Sequence, residues 1–333
     1  MTRLAGGRPG SPASILGIGA YRGSQVVPNA DLVEAIDSSD EWIQQRSGIR
    51  ERRFATPEET VQLMSVRACQ EALDNAGIDA RQVDAVIVAT ISHLMQLPAV
   101  APAVATELGC DQPVAFDVSA ACAGFCHGVT LAADMIRGGS ATYALVVGVE
   151  RLTDMLDLED RGTAFIFADG AGAVVIGPSE TSGIGPVVWG SDGEHFDYIR
   201  QREDWQGVLS AEQPGGHFIT MQGSAVFRWA SFSMAKVGLE ALDRSGISVD
   251  DLDCFVPHQA NMRITDAMAR AMKLPPSVKI ARDVAEQGNT SAASVPLALH
   301  RMVADGDAVS GDLALLIAFG AGLAYAAQVV VIP

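Results

Sequence analysis

Two stretches of the chain show the same order of predicted elements, and this repeat restricts the fold more than any other feature. The first runs from an apolar strand at 85–90 through DVSAACAGFC to the apolar segments ALVVGVE and DGAGAVVIG. The second runs from a strand at 253–256 through GNTSAASVPL to LALLIAF and AYAAQVVVI. Buried apolar strands that alternate with helices indicate parallel or mixed sheets covered on both faces. The sequence therefore predicts an α/β fold built from one duplicated unit.

The repeat also relates two helix starts. The interval from Cys122 to Gly139 equals that from Asn289 to Gly306, and each interval is typical of one helix that begins with small residues and ends at a glycine cap. If the halves pack around a pseudo-two-fold axis, both helix starts face one centre. We expect Cys122 and Asn289 to occupy equivalent positions there.

Four parts of the chain follow from the repeat. Residues 1–13, rich in Gly and Pro, are expected to form a loose tail, and residues 14–182 the N-terminal half. Residues 183–221 match neither half and are interpreted as an inserted loop or lid that carries Trp205. Residues 222–333 complete the duplication as the C-terminal half.

Charge and hydropathy exclude some functions. The formal net charge of −17 would repel a nucleic-acid backbone, so an acidic partner could bind only through a local basic patch. The uncharged segment 313–332 is long enough for a membrane helix, but Gly320 and Gly322 interrupt it. Two buried strands joined by a tight turn are therefore predicted, and no membrane association is expected.

The five cysteines form an odd, irregularly spaced set, and no apolar signal segment precedes them. Such a set indicates reduced thiols rather than a disulfide framework. We expect a cytoplasmic location.

Three residues could carry chemistry. Cys122 is predicted at a helix start, where the dipole and unpaired N–H groups favour a thiolate nucleophile. His258 follows a strand that ends at Pro257, and Asn289 precedes a helix. Taken singly, each also fits a structural role, as an inert buried thiol, a satisfied histidine and a helix N-cap.

A metal site is a further interpretation. Cys122, Cys126, Cys254 and His258 form two pairs at equal spacing and could make a tetrahedral zinc site. The placement of Cys126 inside a helix and of Cys254 inside a strand favours packing roles, so no metal is predicted.

Four ordered motifs resemble the β-ketoacyl-acyl-carrier-protein synthase III family. They are DVSAACAG at 117–124, HQAN at 258–261, GNTS at 288–291 and FGAG at 319–322. The resemblance extends from about residue 15 to residue 332. It implies the thiolase fold, a duplicated five-layer α-β-α-β-α arrangement, and a homodimer.

The same resemblance implies a catalytic triad of Cys122, His258 and Asn289. Cys122 would take an acyl group from acyl-CoA, and the other two would bind the carbonyl of malonyl-acyl carrier protein. Hydrogen bonds there would stabilise the enolate formed as carbon dioxide leaves, and the enolate would attack the acyl-cysteine. No cofactor is implied, because acyl-CoA is a substrate.

Further positions carry over from the family. The implied oxyanion hole consists of backbone N–H groups of Cys122, Gly320 and Ala321. By the same resemblance, Trp42 and Arg161 would clasp the adenine of CoA, and Gly223 and Ser224 would lie beside the pantetheine arm. The full set of implied CoA-binding residues is Trp42, Arg46, Arg161, Gly223, Ser224 and Asn261.

Two further sets of residues are expected to contact partner proteins. Arg228, Arg263, Arg270 and Lys273 could form the basic patch that an acidic carrier protein requires. Leu97 matches a gating position at the acyl pocket of the dimer mate, and its size suggests primers that are branched or longer than acetyl.

Three functions stay open at this point. The first is decarboxylative condensation that starts fatty acid or polyketide synthesis. The second is transfer of the acyl group from Cys122 to an alcohol or amine. The third is a non-catalytic partner subunit, against which the intact Cys122 argues.

Overall fold

The structure is a computed structural model that describes residues 10–210 and 218–333. The predicted tail and part of the predicted insertion, 1–9 and 211–217, lie outside the described residues. Gly10 to Pro12 are exposed, whereas Ala13 is buried and begins the first strand.

Helices and strands alternate along the described chain. The strands are β1 (Ala13–Arg22), β2 (Gln25–Pro28), β3 (Glu51–Phe54), β4 (Ala85–Ala89), β5 (Val114–Val118), β6 (Ala144–Arg151), β7 (Asp169–Pro178), β8 (Val188–Ser191), β9 (Ile199–Gln201), β10 (Ile219–Met221), β11 (Cys254–Pro257), β12 (Lys279–Ile280), β13 (Leu313–Phe319) and β14 (Ala324–Val331). The helices are α1 (Asp40–Ser47), α2 (Val61–Ala76), α3 (Ala101–Leu108), α4 (Gly124–Arg137), α5 (Trp205–Ser210), α6 (Gly223–Arg244), α7 (Met262–Met272), α8 (Val284–Gln287) and α9 (Ser294–Ala304).

Two five-stranded sheets with the same topology confirm the duplication. Their strand orders are β1-β7-β6-β4-β5 and β8-β14-β13-β11-β12. In each sheet the second strand runs antiparallel to the first and the third, and the last two run parallel to the third. The order of strands therefore relates the halves one to one.

Five layers result from the way helices cover these sheets. The apolar faces of α4 and α9 share one core with both sheets, so these two helices form the middle layer. Helices α2 and α3 pack on the outer face of the first sheet, and α6 and α7 on that of the second. The predicted α-β-α-β-α arrangement is confirmed.

The predicted insertion needs a correction. Strand β8 lies within 183–221 but pairs with β14, and it occupies the place in its sheet that β1 occupies in the first. The C-terminal half therefore begins at Val188 rather than at residue 222. Within the described part of the segment, β9 and β10 form a separate two-stranded ribbon.

The predicted equivalence of Cys122 and Asn289 is wrong by three residues. Ala121 and Ser291 both have left-handed backbone, with φ of 45° and 47°, and each begins a short 3-10 turn before α4 or α9. The turns match Cys122 with Ala292, and Asn289 precedes the second turn. The intervals from Cys122 to Gly139 and from Asn289 to Gly306 are nevertheless equal. Asn289 starts three residues earlier, and α9, with 11 residues, is three residues shorter than α4, with 14.

The uncharged C-terminal segment forms two strands, as predicted. Strands β13 and β14 pair along their whole length in antiparallel register. In the described part of the chain, no helix is both long enough and apolar enough to span a bilayer.

A glycine marks the closest contact between the first sheet and the middle layer. Gly148, in the centre of β6, lies directly against the backbone of Ala292, and an added Cβ would overlap the Ala292 carbonyl oxygen. Only a residue without a side chain allows this approach.

We expect Gly148→Ala to lower the free energy of unfolding by about 1–3 kcal/mol, because the added methyl overpacks a rigid contact. Urea unfolding followed by circular dichroism measures the change. Gly193→Ala is the control, since an added Cβ there meets no atom within 4 Å. Equal midpoints for the two variants would contradict this role of Gly148.

Candidate active site

One cavity of about 650 Å³ opens beside the first residues of the middle helices. Both halves contribute to its wall, together with the segment that contains β9 and α5. Residues that line it include Thr90, Leu94, Met95, Asp117, Cys122, Phe196, Ile199, Trp205, Ser291, Ala321 and Gly322.

Cys122 lies at the floor of this cavity, in the 3-10 turn that follows β5, and its side chain is nearly buried. Gly320 packs against it so closely that an added Cβ would come within 2.7 Å of the Cys122 nitrogen. Burial raises the pKa of the thiol to about 12, although the neighbouring Ser291 hydroxyl opposes that rise. Burial therefore opposes the helix-start effect expected from the sequence and favours a resting thiol.

His258 follows β11 and is buried beside the Phe319 ring, which meets it edge to face. Its Nδ1 lies 2.6 Å from Ser294 Oγ, which also accepts the Gln259 N–H. Because Ser294 Oγ accepts the Gln259 N–H, its own hydroxyl hydrogen is free to be donated to Nδ1. With Nδ1 as the acceptor, the ring hydrogen lies on Nε2. Burial lowers the pKa of the imidazole to about 3, so His258 is neutral and Nε2–H is a donor.

Asn289 is fixed by its backbone and by its side-chain oxygen. Its N–H donates to the Ile166 carbonyl, and its own carbonyl accepts the Ala168 N–H. Oδ1 accepts the Ser291 N–H at 2.8 Å, although the N-cap residue of the following turn is Thr290 rather than Asn289. The Nδ2 amide has no hydrogen-bond partner among the described residues and is the second free donor.

The corner between β13 and β14 connects these residues. Phe319 touches His258, and Gly320 touches Cys122. Ser291 lies beside the thiol and is held by Asn289. The fold thus collects one thiol and two N–H donors from three separate segments, with His258 and Asn289 just behind the cavity wall.

The implied oxyanion hole needs a correction at Gly320. Its N–H donates to the Ala324 carbonyl at 2.9 Å, because the turn between the two strands closes through this bond. Gly320 therefore serves as a close contact rather than a donor. The N–H groups of Cys122 and Ala321 have no backbone acceptor in the described chain and remain available.

The predicted CoA-binding residues divide into two sets. The guanidinium groups of Arg46 and Arg161 both stack over the Trp42 ring, at 5.3 and 4.8 Å from its centroid. Asn261 caps α7 through Oδ1 and donates Nδ2 to the Arg46 carbonyl, so both ends of its amide are occupied. It therefore positions the stack in this structure.

The remaining two predicted CoA residues, Gly223 and Ser224, are exposed at the start of α6.

The four predicted patch residues are exposed: Arg228 on α6, Arg263 and Arg270 on α7, and Lys273 at the residue that follows α7. Arg263 lies over the Phe227 ring at 5.0 Å from its centroid, which connects the two helices. Among the described residues, none of Arg228, Arg263, Arg270 and Lys273 forms a salt bridge. The patch is therefore a local cationic surface on an acidic protein.

Leu97 is not among the residues that line the cavity. Its side chain is 84% exposed, whereas its neighbours Leu94 and Met95 line the cavity wall. This placement leaves Leu97 free to contact another molecule.

The zinc interpretation finds no support in the geometry. Cys126 lies inside α4, and Cys254 Sγ faces the Asp307 carbonyl at 3.8 Å. Over residues 10–210 and 218–333, no three His, Cys, Asp or Glu side chains converge as metal ligands would.

Sequence reasoning missed Ser294, which sets the His258 tautomer, and Glu150, a buried carboxyl whose charge acts on Cys122. Ser294 ends the segment GNTSAAS at 288–294 and begins α9, and a hydroxyl in the first turn of a helix could have been suspected of contacting the site. Glu150 ends an apolar strand, and no sequence signal marks it.

Family models match both halves of the chain. The model of 3-oxoacyl-(acyl-carrier-protein) synthase III matches residues 116–193, and the model of its C-terminal part matches residues 242–332.

Curated relatives match over nearly their whole length. Beta-ketoacyl-(acyl-carrier-protein) synthase III 1 of Streptomyces coelicolor is 56% identical, covering 97% of this chain and 98% of the relative. The mycobacterial beta-ketoacyl-(acyl-carrier-protein) synthase III of Mycobacterium marinum is 52% identical, covering 100% and 99%.

Solved structures agree. The priming β-ketosynthase of the R1128 polyketide pathway superimposes with a TM-score of 0.96 at 44% identity, covering 100% of this chain and 98% of that one. The 3-oxoacyl-(acyl-carrier-protein) synthase III of Aquifex aeolicus gives 0.89 at 36% identity, covering 96% and 100%. The chain belongs to the 3-oxoacyl-(acyl-carrier-protein) synthase III family and has its thiolase-like fold.

Proposed function

We propose that this protein condenses an acyl-CoA primer with malonyl-acyl carrier protein to give 3-ketoacyl-acyl carrier protein and carbon dioxide. The observation that supports this most is the pairing of one thiol with two neutral N–H donors, His258 Nε2 and Asn289 Nδ2, in a buried centre. The reaction would start fatty acid synthesis or prime a polyketide, and the similarity to a priming ketosynthase supports the second pathway.

In the first half-reaction, Cys122 attacks the acyl-CoA thioester carbonyl. The N–H groups of Cys122 and Ala321 can hold the oxyanion, and CoA thiol leaves. Trp42 and the two guanidinium groups near its ring provide planar, cationic surfaces suited to an adenine ring.

In the second half-reaction, His258 and Asn289 donate to the malonyl thioester carbonyl. As carbon dioxide leaves, negative charge develops on that oxygen, and donors in a dry site stabilise it more than water would. The enolate carbon attacks the acyl-Cys122 carbonyl, the carbon–sulfur bond to Cys122 breaks, and the departing thiolate takes up a proton from water. We propose no metal or redox cofactor, because the departing carbon dioxide generates the carbanion.

We expect His258→Ala and Asn289→Ala to accept the acyl group from acyl-CoA but to form ketoacyl product at least about 100-fold more slowly, since each loses one enolate donor. Mass spectrometry of the carrier protein measures product, and intact mass of the enzyme measures acylation. Cys122→Ala is the control that does neither. If both donor variants condensed at the wild-type rate, the assignment would be wrong.

Acyl transfer to an alcohol or amine, and a non-catalytic partner subunit, would each give a different result in the same assay. A transferase would become acylated but would not be discharged by malonyl-carrier protein. A partner subunit would not become acylated. The intact thiol and donor pair favour condensation over both.

The cationic patch on α6 and α7 provides a docking surface for an acidic carrier protein. Its side chains carry no salt bridge within the described chain, so a partner's carboxylates need not displace internal ones. Long-range attraction would also raise the association rate at low salt.

We expect Arg263→Glu to lower turnover with malonyl-carrier protein by about tenfold or more, because it places a like charge against an acidic partner. Acylation by acyl-CoA should change little. Lys279→Glu, an equal charge change at an exposed site on β12, is the control. Equal losses in the two half-reactions would refute the patch.

A homodimer is proposed from the outer edge of the first sheet. Strand β5 has a neighbour only on its β4 side among the described strands, and Val114 at its start is 55% exposed. The apolar side chains of Leu94, Met95 and Leu97 are also exposed. An unpaired edge beside apolar surface favours pairing with a second copy, which would place Leu97 at the mate's acyl pocket.

We expect four- to six-carbon acyl-CoAs to acylate Cys122 faster than acetyl-CoA, because the cavity is large and Leu97 is smaller than an aromatic gate. Leu97→Phe should reduce the rate with the longer primers while leaving acetyl-CoA nearly unchanged. Initial rates of CoA release measure both. A clear preference for acetyl-CoA, or a monomer by light scattering, would contradict this account.

The location is also a proposal. All five cysteines are free thiols, which supports a reducing compartment such as the cytoplasm.

A further inference from the structure

A buried acid lies beside the active centre and has no assigned role in the two half-reactions. Glu150, near the end of β6, is fully buried. Its Oε2 accepts hydrogen bonds from Thr90 Oγ1 at 3.2 Å, Ile91 N at 3.1 Å and Ser92 Oγ at 2.6 Å. Its Oε1 has no partner among the described residues. One oxygen is therefore fixed, and the other remains unpaired in a dry site.

The Ser291 hydroxyl is a second unpaired buried group in the same place. It meets no acceptor or donor with full hydrogen-bond geometry in the described chain. It nevertheless lies close enough to Glu150 and to Cys122 to lower the pKa of both. Buried polar groups without a partner are rare and call for an explanation.

The strand geometry explains why these groups meet. Gly148 and Glu150 are two residues apart on β6, so they face the same side of the sheet. Gly148 lies against the backbone of Ala292, next to Ser291. Thr90, which holds Glu150, lines the same cavity as Cys122 and Ser291.

The first half-reaction needs a proton acceptor, because burial raises the pKa of the Cys122 thiol to about 12. His258 is poorly suited to that task, since Nδ1 is engaged by Ser294 and burial lowers the imidazole pKa to about 3. Burial raises the pKa of Glu150 to about 7, which makes it the stronger base and places it near the working pH.

We propose that Glu150 accepts the Cys122 proton through the Ser291 hydroxyl during acylation. The thiol proton passes to Ser291 Oγ as the serine proton passes to Glu150 Oε1, and the sulfur forms its bond to the acyl carbon. The carbon–sulfur bond to CoA then breaks. The proton returns through Ser291 to the leaving CoA thiolate, which restores the Glu150 carboxylate and balances the step.

Other acids near the centre are already engaged. Both oxygens of Asp117 accept N–H groups, from Val100 and Ala101. Both oxygens of Asp169 are occupied by Thr153 and Ala55, including the Thr153 hydroxyl. Glu150 is distinguished from them by its free oxygen and by its charge coupling to Cys122.

The inference rests on the proposed condensing function, and the test separates the two. Acylation by acetyl- and isobutyryl-CoA is followed by rapid quench and intact mass between pH 5.5 and 8.5 for wild type, Glu150→Gln and Ser291→Ala. Condensation is then measured by mixing each pre-acylated enzyme with malonyl-carrier protein. His258→Ala is the matched variant, which should be slow only in condensation.

We expect the wild-type acylation rate to rise as pH passes through about 7, since the carboxylate form is the base. Glu150→Gln and Ser291→Ala should acylate about 100-fold more slowly at pH 7 and lose that rise, while their condensation stays near the wild-type rate. Ser291→Ala should fold normally, because Ala121 already adopts the same left-handed conformation at the matching position.

Two results would overturn the inference. One is a wild-type acylation rate and pH profile in Glu150→Gln and Ser291→Ala. The other is an equal loss in acylation and condensation, which would indicate a structural role for both residues. Failure of the wild-type enzyme to become acylated at all would instead refute the proposed function.

Discussion

The close approach of backbone segments at the centre of the molecule is the constraint on which the rest of the structure depends. Gly320 leaves room for the Cys122 nitrogen, and Gly148 leaves room for the Ala292 carbonyl. These contacts let the turns that start α4 and α9 meet between the sheets. Side chains from both halves can therefore act in one active centre, and a methyl group at either glycine would push the halves apart.

Burial at this centre decides which groups are charged. Desolvation disfavours the thiolate of Cys122, the imidazolium of His258 and the carboxylate of Glu150. The resting site therefore holds one thiol and neutral N–H donors, and beside them the Glu150 carboxyl, whose pKa of about 7 leaves it available as a carboxylate near neutral pH. Fixed N–H groups of this kind stabilise negative charge only when it develops during reaction, and the dry surroundings strengthen that effect.

Much of the architecture could be predicted from the sequence, because apolar strands, cap glycines and the repeat are local patterns. Strand β8 was missed, since its four residues show little alternation and only pairing with β14 identifies it. The three-residue offset of Asn289 was missed because equal intervals concealed helices of different length. The engagement of the Gly320 N–H depends on strand register, and the closeness of Glu150 to Cys122 depends on sheet order, neither of which a single sequence encodes locally.

The central claim is that His258 is a neutral donor with its hydrogen on Nε2, so that it acts on the malonyl carbonyl and not as the base for Cys122. Nitrogen-15 NMR of histidine-labelled protein tests this most directly, with His258→Gln used to assign the resonances among the six histidines. The account predicts shifts of the neutral Nε2–H tautomer that stay constant from pH 5 to pH 8, because burial lowers the pKa to about 3. Titration of His258 within that range, or the Nδ1–H tautomer, would contradict it.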